Sequence, residues 1–139
     1  MTSNEKLKVF IADDSDFIRE RLPEMLSELS GVEVIGQAED GIEAVKSIRT
    51  LNPDVVILDI RMPGKSGIEV LKEVKKHKPS TVIIIFTNYP YPQYKKKCLE
   101  AGADFFLDKS VDFDKLTDIL RKVSHSSSST GGAKEVADT

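Results

Sequence analysis

Five times along this chain a short apolar run gives way to a stretch with helical spacing. That alternation restricts the fold more than any other feature. The runs are LKVFIA (7–12), VEVIGQA (32–38), VVIL (55–58), TVIIIF (81–86) and DFFLD (104–108). Short bounded apolar runs of this kind read as strands, near-continuous where both faces of a sheet are covered. Between them the period changes. After Ser15, a residue type that caps helix N-termini, apolar residues fall at Ile18, Leu22, Met25, Leu26 and Leu29. Pro23 lies inside that stripe and predicts a kink, because proline lacks an N–H and crowds the preceding turn. IEAVKSIRTL (42–51) carries a stripe of Val45, Ile48 and Leu51 and ends at Asn52-Pro53. A third helix opens at Ser66 or Gly67, runs through Ile68, Leu71 and Val74, and stops before Pro79. YPYPQYKKKCLEAG (89–102) has few apolar anchors and predicts a short, loosely held helix. FDKLTDILRKV (113–123) is the last, packed through Leu116, Ile119, Leu120 and Val123.

Strand and helix in strict alternation imply a parallel sheet covered on both faces, with right-handed crossovers. The expected architecture is an α/β, three-layer doubly wound (βα)5 sandwich, flavodoxin-like, with strand order 2-1-3-4-5. The domain is read as residues 6–123. SHSSSSTGGAKEVADT (124–139) has little apolar surface to bury and predicts a disordered Ser-rich tail. At 139 residues one domain accounts for the chain. A net charge of -3 argues against a general nucleic-acid binder. No run approaches the roughly 20 apolar residues that span a bilayer, and the single Cys98 forms no internal disulfide, so a cytoplasmic setting is expected.

VVILDIRMPGKSG (55–67) poses the functional question, because an apolar strand delivers a carboxylate, Asp59, to its end. The other strands also end in polar groups: Asp13-Asp14, Thr87 and Lys109. In a doubly wound sheet the ligand crevice lies beyond the carboxyl ends of the strands, where their order reverses. Asp13, Asp14 and Asp59 therefore meet there. Glu39-Asp40 belongs to an edge strand and stands apart. Two unit charges about 4 Å apart cost about 4 kcal/mol at an effective dielectric near 20, so three acids call for a counter-ion. A hard divalent ion such as Mg²⁺ suits oxygen ligands of this kind and commonly shares them with a phosphate. Lys109 adds a positive charge and Thr87 a hydroxyl. These parts suit phosphoryl transfer, which is mostly positioning and charge neutralisation. No serine or cysteine is paired with a base, and His77 and His125 lie at a helix end and in the tail. The nucleophile is then a carboxylate, best Asp59.

Each residue has a bland reading by itself. Asp13-Asp14 could cap a helix, Thr87 could end a strand, Lys109 could be solvated, and Phe106 could be core. Lys95, Lys96 and Lys97 read as a solvated face. What the bland readings leave unexplained is the gathering of five polar residues at one sheet edge. The set, in FIADDSDF, VILDIRMPGKSG, IIIFTN and GADFFLDKS, resembles the receiver domain of two-component response regulators from about Lys6 to Val123.

The resemblance implies that Asp59 accepts a phosphoryl group from a histidine kinase, a histidine phosphotransfer protein or a small phosphodonor. It implies Mg²⁺ held directly by Asp14 and Asp59, through water by Asp13, and by the backbone carbonyl of Arg61. Lys109 and Thr87 would contact phosphoryl oxygens, and Phe106 would rotate inward with Thr87. That movement would change the face formed by the fourth helix, fifth strand and fifth helix, where effector proteins dock and where receivers often pair as homodimers. Arg61 and Tyr89 stand at positions that tune dephosphorylation. Two departures are visible. Ser110 replaces the proline usual after the lysine, which predicts an ordinary trans bond. Asn88 stands where a small residue usually follows the threonine.

The leading expectation is a stand-alone, phosphorylation-switched receiver, a phosphoacceptor and not an enzyme, with no DNA-binding or membrane role of its own. The alternatives are a degenerate receiver acting as an interaction module and an N-terminal fragment of a longer regulator. An aspartate-nucleophile phosphatase would want an acid at Arg61, and an FMN carrier would want a phosphate loop where DDSD repels phosphate.

Overall fold

A computed structural model describes residues 5–127. Its elements alternate without exception: β1 (Leu7–Ala12), α1 (Asp16–Leu26), β2 (Val32–Ala38), α2 (Gly41–Leu51), β3 (Val55–Leu58), α3 (Gly67–His77), β4 (Val82–Thr87), α4 (Pro92–Glu100), β5 (Phe105–Asp108) and α5 (Phe113–Ser127). The five strands form one sheet in the order β2-β1-β3-β4-β5, every neighbouring pair parallel. This is the doubly wound sandwich that the alternation predicts.

Pleating sends successive strand residues to opposite layers. Val9 and Ile11 of β1, Val55 and Ile57 of β3, and Ile84 and Phe86 of β4 pack with Ile18, Leu22 and Leu26 of α1 and Leu116 and Leu120 of α5. Phe10, Val56, Leu58, Ile83 and Ile85 pack on the other face with Ala44 and Ile48 of α2, Val70, Leu71 and Val74 of α3, and Cys98 of α4. All four residues of β3 are buried, which places its carboxyl end at the centre of the upper rim.

Local chemistry sets the helix ends. Ser15 accepts the amide of Ile18 at 3.3 Å, Asp40 accepts that of Glu43 at 2.8 Å, and Ser66 and Glu69 close a reciprocal capping box over α3. Asn52 ends α2 in the left-handed region, φ 54°, where asparagine is tolerated better than most residues. Pro23 stays inside α1. Its missing N–H frees the carbonyl of Arg19, and the side-chain amide of Gln37 on β2 donates to that carbonyl at 3.0 Å.

The structure corrects the sequence reading at three places. The α1 helix stops at Leu26, and Leu29 is buried from the following turn, because the apolar position persists after the helical backbone has ended. Leu51, expected on the buried stripe of α2, is 39% exposed, and Gly41, Ala44 and Ile48 take the inner face. The last helix does not end at Val123 but continues to Ser127, so residues 124–127 are helical and not tail. Ser124 there donates its hydroxyl to the carbonyl of Gly31 at 3.3 Å, a contact that composition alone could not show. The rest of the expected tail, 128–139, lies outside the described residues. As expected, α4 is weakly held: it has no side-chain N-cap, and only Cys98 is buried.

Candidate functional site

The rim of the sheet collects the acids as the strand ends predict. The amide of Asp13 donates to the carbonyl of Ala38 on β2, and that of Asp59 to the carbonyl of Ala12 on β1, both at 3.0 Å. The sheet ladder thus continues just past the strands and carries both side chains to one spot. One oxygen from each of Asp13, Asp14 and Asp59 lies within 4.8 Å of the others. Asp13 and Asp59 are buried and Asp14 is exposed, so the cluster has a dry floor and an open mouth.

Lys109 reaches this floor from the end of β5. Its Nζ lies 2.7 Å from Asp13 Oδ2 and 3.0 Å from Asp59 Oδ2, with the side chain only 6% exposed. One ammonium faces two buried carboxylates, and Asp13 and Lys109 both shift upward, for different reasons. Burial pushes the Asp13 carboxyl above its usual range, and the Asp59 charge adds to it, outweighing the hydrogen bond from Lys109. Burial works against the Lys109 ammonium too, but hydrogen bonds and charges from both acids prevail and raise its pKa. The base gains from two partners while each acid shares one.

Each acid is also fixed by backbone. Asp13 Oδ1 accepts the amide of Ser15 at 2.9 Å, and Asp59 Oδ1 that of Ile60 at 2.7 Å. Arg19 of α1 donates to the carbonyl of Asp13 at 2.9 Å. Thr87, the last residue of β4, is fully buried, and its Oγ1 accepts the amide of Tyr89 at 3.1 Å. Phe106 is half-buried on the α2–α4 face. Arg61 is exposed, its guanidinium 4.3 Å above the Tyr89 ring. Interaction with Tyr94 holds the Arg61 pKa above its ordinary value. The Lys109–Ser110 bond is trans.

Asp13, Asp14, Asp59 and Lys109 therefore gather at one rim, Thr87 ends the neighbouring strand, Arg61 and Tyr89 pair with each other, and Phe106 lies inside the sheet opposite Ile85, against the core. Sequence reasoning missed three supports. Arg19 holds the Asp13 carbonyl, Tyr94 joins Arg61 and Tyr89, and Gly67 passes so close to β3 that a Cβ there would sit 1.9 Å from the carbonyl of Asp59. A glycine one residue after a helix-capping serine was the only hint of the last. The donor set is all hard oxygen with excess negative charge, and it fits a small divalent cation.

Comparison with known proteins decides the family. Residues 9–121 match the model of the response regulator receiver domain. The chain belongs to this family. Among relatives of this receiver is the response regulator GacA of Pseudomonas aeruginosa, 30% identical over 117 residues, 84% of this chain and 55% of that protein. A cyclic di-GMP phosphodiesterase of Thermotoga maritima is 41% identical over 119 residues, 83% of this chain and 31% of that protein. The receiver thus spans about half, or less, of the length of these relatives. Among solved structures, the response regulator domain of Thermotoga maritima CheB superposes with TM-score 0.79 at 31% identity, covering 87% of this chain and 98% of that one. The CheX-CheY-BeF3-Mg+2 complex from Borrelia burgdorferi gives 0.78 at 31% identity, covering 86% and 90%.

Proposed function

We propose that this receiver is a phosphorylation-switched signalling protein whose acceptor is Asp59. The observation that carries the reading is the buried Asp59 carboxylate, fixed by the amide of Ile60 and sharing the Lys109 ammonium with Asp13. A carboxylate nucleophile attacks through its own oxygen lone pair, without a separate base. An Asp59 oxygen attacks phosphorus, and the bond from phosphorus to the imidazole nitrogen of a sensor histidine kinase or phosphotransfer protein breaks. The electron pair leaves on that nitrogen, and an acyl phosphate forms on Asp59. Mg²⁺ would be held by Asp13, Asp14, Asp59 and the backbone carbonyl of Arg61, and when bound it offsets charge on phosphoryl oxygens.

The remaining residues divide the work. Lys109 exchanges its contact with Asp59 for a phosphoryl oxygen. Thr87 gives up the Tyr89 amide to donate its hydroxyl to another, and Phe106 follows it inward. The changed α4-β5-α5 face is then read by an effector protein or by a second copy. Arg61 and Tyr89, stacked beside the mouth, set phosphoryl lifetime. The protein acts as a stoichiometric acceptor, not a turnover enzyme, in a cytoplasmic setting and with no nucleic-acid contact of its own. No helix among the described residues is long and apolar enough to cross a membrane.

The test is mass and NMR. Acetyl phosphate with Mg²⁺ should add one phosphoryl group to the wild type and none to Asp59→Asn. Beryllofluoride with Mg²⁺ should shift amides around Thr87 and Phe106 in the wild type alone. An equal response in the variant would remove Asp59 from the role.

A further inference from the structure

The segment after β5 departs from the family pattern at Ser110, yet Lys109 is held firmly in the pocket. Lysine has a flexible four-carbon stem that loses much rotamer freedom when fixed. Something must set the direction in which its backbone launches it. On one side this is β4, since the amide of Lys109 donates to the carbonyl of Thr87 at 2.8 Å. On the other side it is Asp108.

Asp108 grips the loop at both its backbone and its side chain. Its Oδ1 accepts the amide of Ser110 at 2.9 Å and the Ser110 hydroxyl at 2.7 Å. Its own amide donates to Asp112 Oδ2 at 2.9 Å. Its carbonyl accepts the amides of Val111 at 3.2 Å and Asp112 at 2.8 Å. Lys109 is thus flanked on both sides by one closed knot of hydrogen bonds. The two Ser110 donors hold the Asp108 carboxyl below the usual carboxylate range, as bonds to the charged form should. A proline at 110 could offer neither of those donors, so the departure from pattern and the knot are one feature.

We propose that Asp108, through its two bonds from Ser110, is the positioning residue for the Lys109 ammonium in phosphoryl transfer. Neither residue touches the reacting atoms; both act through where Lys109 points. The inference rests on Asp59 being the acceptor, and the test separates the two.

Single-turnover phosphorylation by acetyl phosphate with saturating Mg²⁺ is measured by intact mass on the full chain. Asp108→Ala should slow it about fivefold, the size of one or two lost hydrogen bonds. In a Lys109→Ala background the same change should cost less than about twofold, because residues acting through one another are not additive. Ser110→Ala, a milder change for use if Asp108→Ala does not fold, should slow the reaction about threefold, with Ser110→Thr restoring it. The Lys109 Nζ resonance should shift in Asp108→Ala. An equal loss in both backgrounds, or no loss at all, overturns the positioning role while leaving Asp59 as acceptor. Undiminished phosphorylation of Asp59→Asn would instead sink the underlying reading, and this one with it.

Discussion

At the scale of single residues, the pocket depends on one position that carries no chemistry. Gly67 starts α3 with its amide bonded to the carbonyl of Ile60 at 2.7 Å, and an added Cβ would meet the carbonyl of Asp59 at 1.9 Å. Backbone at that distance cannot rotate aside. Gly67→Ala should cost about 1–3 kcal/mol in urea unfolding, as overpacking does, and weaken metal binding by displacing Asp59. Cys98 gives a second residue-scale expectation. Its thiol is fully buried and pushed up to about 11 by burial. Reaction with a disulfide reagent at neutral pH should therefore be at least about a hundredfold slower in the native protein than in urea, since only the thiolate attacks. Comparable rates would mean that the α4 side of the core opens freely.

At the scale of elements, α1 shows how a local fault is repaired from afar. Pro23 leaves the Arg19 carbonyl without its helical donor, and Gln37 supplies one from β2 at 3.0 Å. Gln37→Leu should destabilise the protein by about 1 kcal/mol, and by much less in a Pro23→Ala background where the helix supplies its own donor. Chemical denaturation of the four proteins checks it; equal losses in both backgrounds would deny the link. Here the sequence was legible only in part. Pro23 announced a disturbed helix, but nothing nearby indicated that Gln37, 18 positions beyond Arg19, would mend it. The stripe of α2 misled for a related reason. Leu51 fits the helical period, yet it lies at the last turn of α2 over the edge strand β2, where cover is only partial.

At the scale of the whole molecule, the buried acids of the pocket couple stability to pH. Asp13 has a raised folded-state pKa. Such a group contributes stability that is fully present below its unfolded pKa and lost as pH rises through the folded value. Asp13 and Asp59 share the single Lys109 ammonium, and a divalent ion beside them would offset the remaining negative charge. Mg²⁺ should raise the melting temperature at pH about 7.5, with tenfold excess over Kd giving about 1.4 kcal/mol. That increment should begin to shrink on acidification at a pH above the ordinary carboxylate range, because protonated Asp13 competes with the metal. Calorimetry from pH about 5 to 8 would show it. A magnesium effect independent of pH would mean that Asp13 takes no part. What the sequence alone determined is whatever short-range chemistry controls: alternating periods, helix caps, and polar residues at successive strand ends, which together dictated the sandwich and the rim. What only the tertiary structure decided joins residues far apart in the chain, such as Lys109 and Asp59, 50 positions from each other. Whether one ammonium serves two buried acids is set by how β1, β3 and β5 lie across the sheet, and no local pattern records that distance.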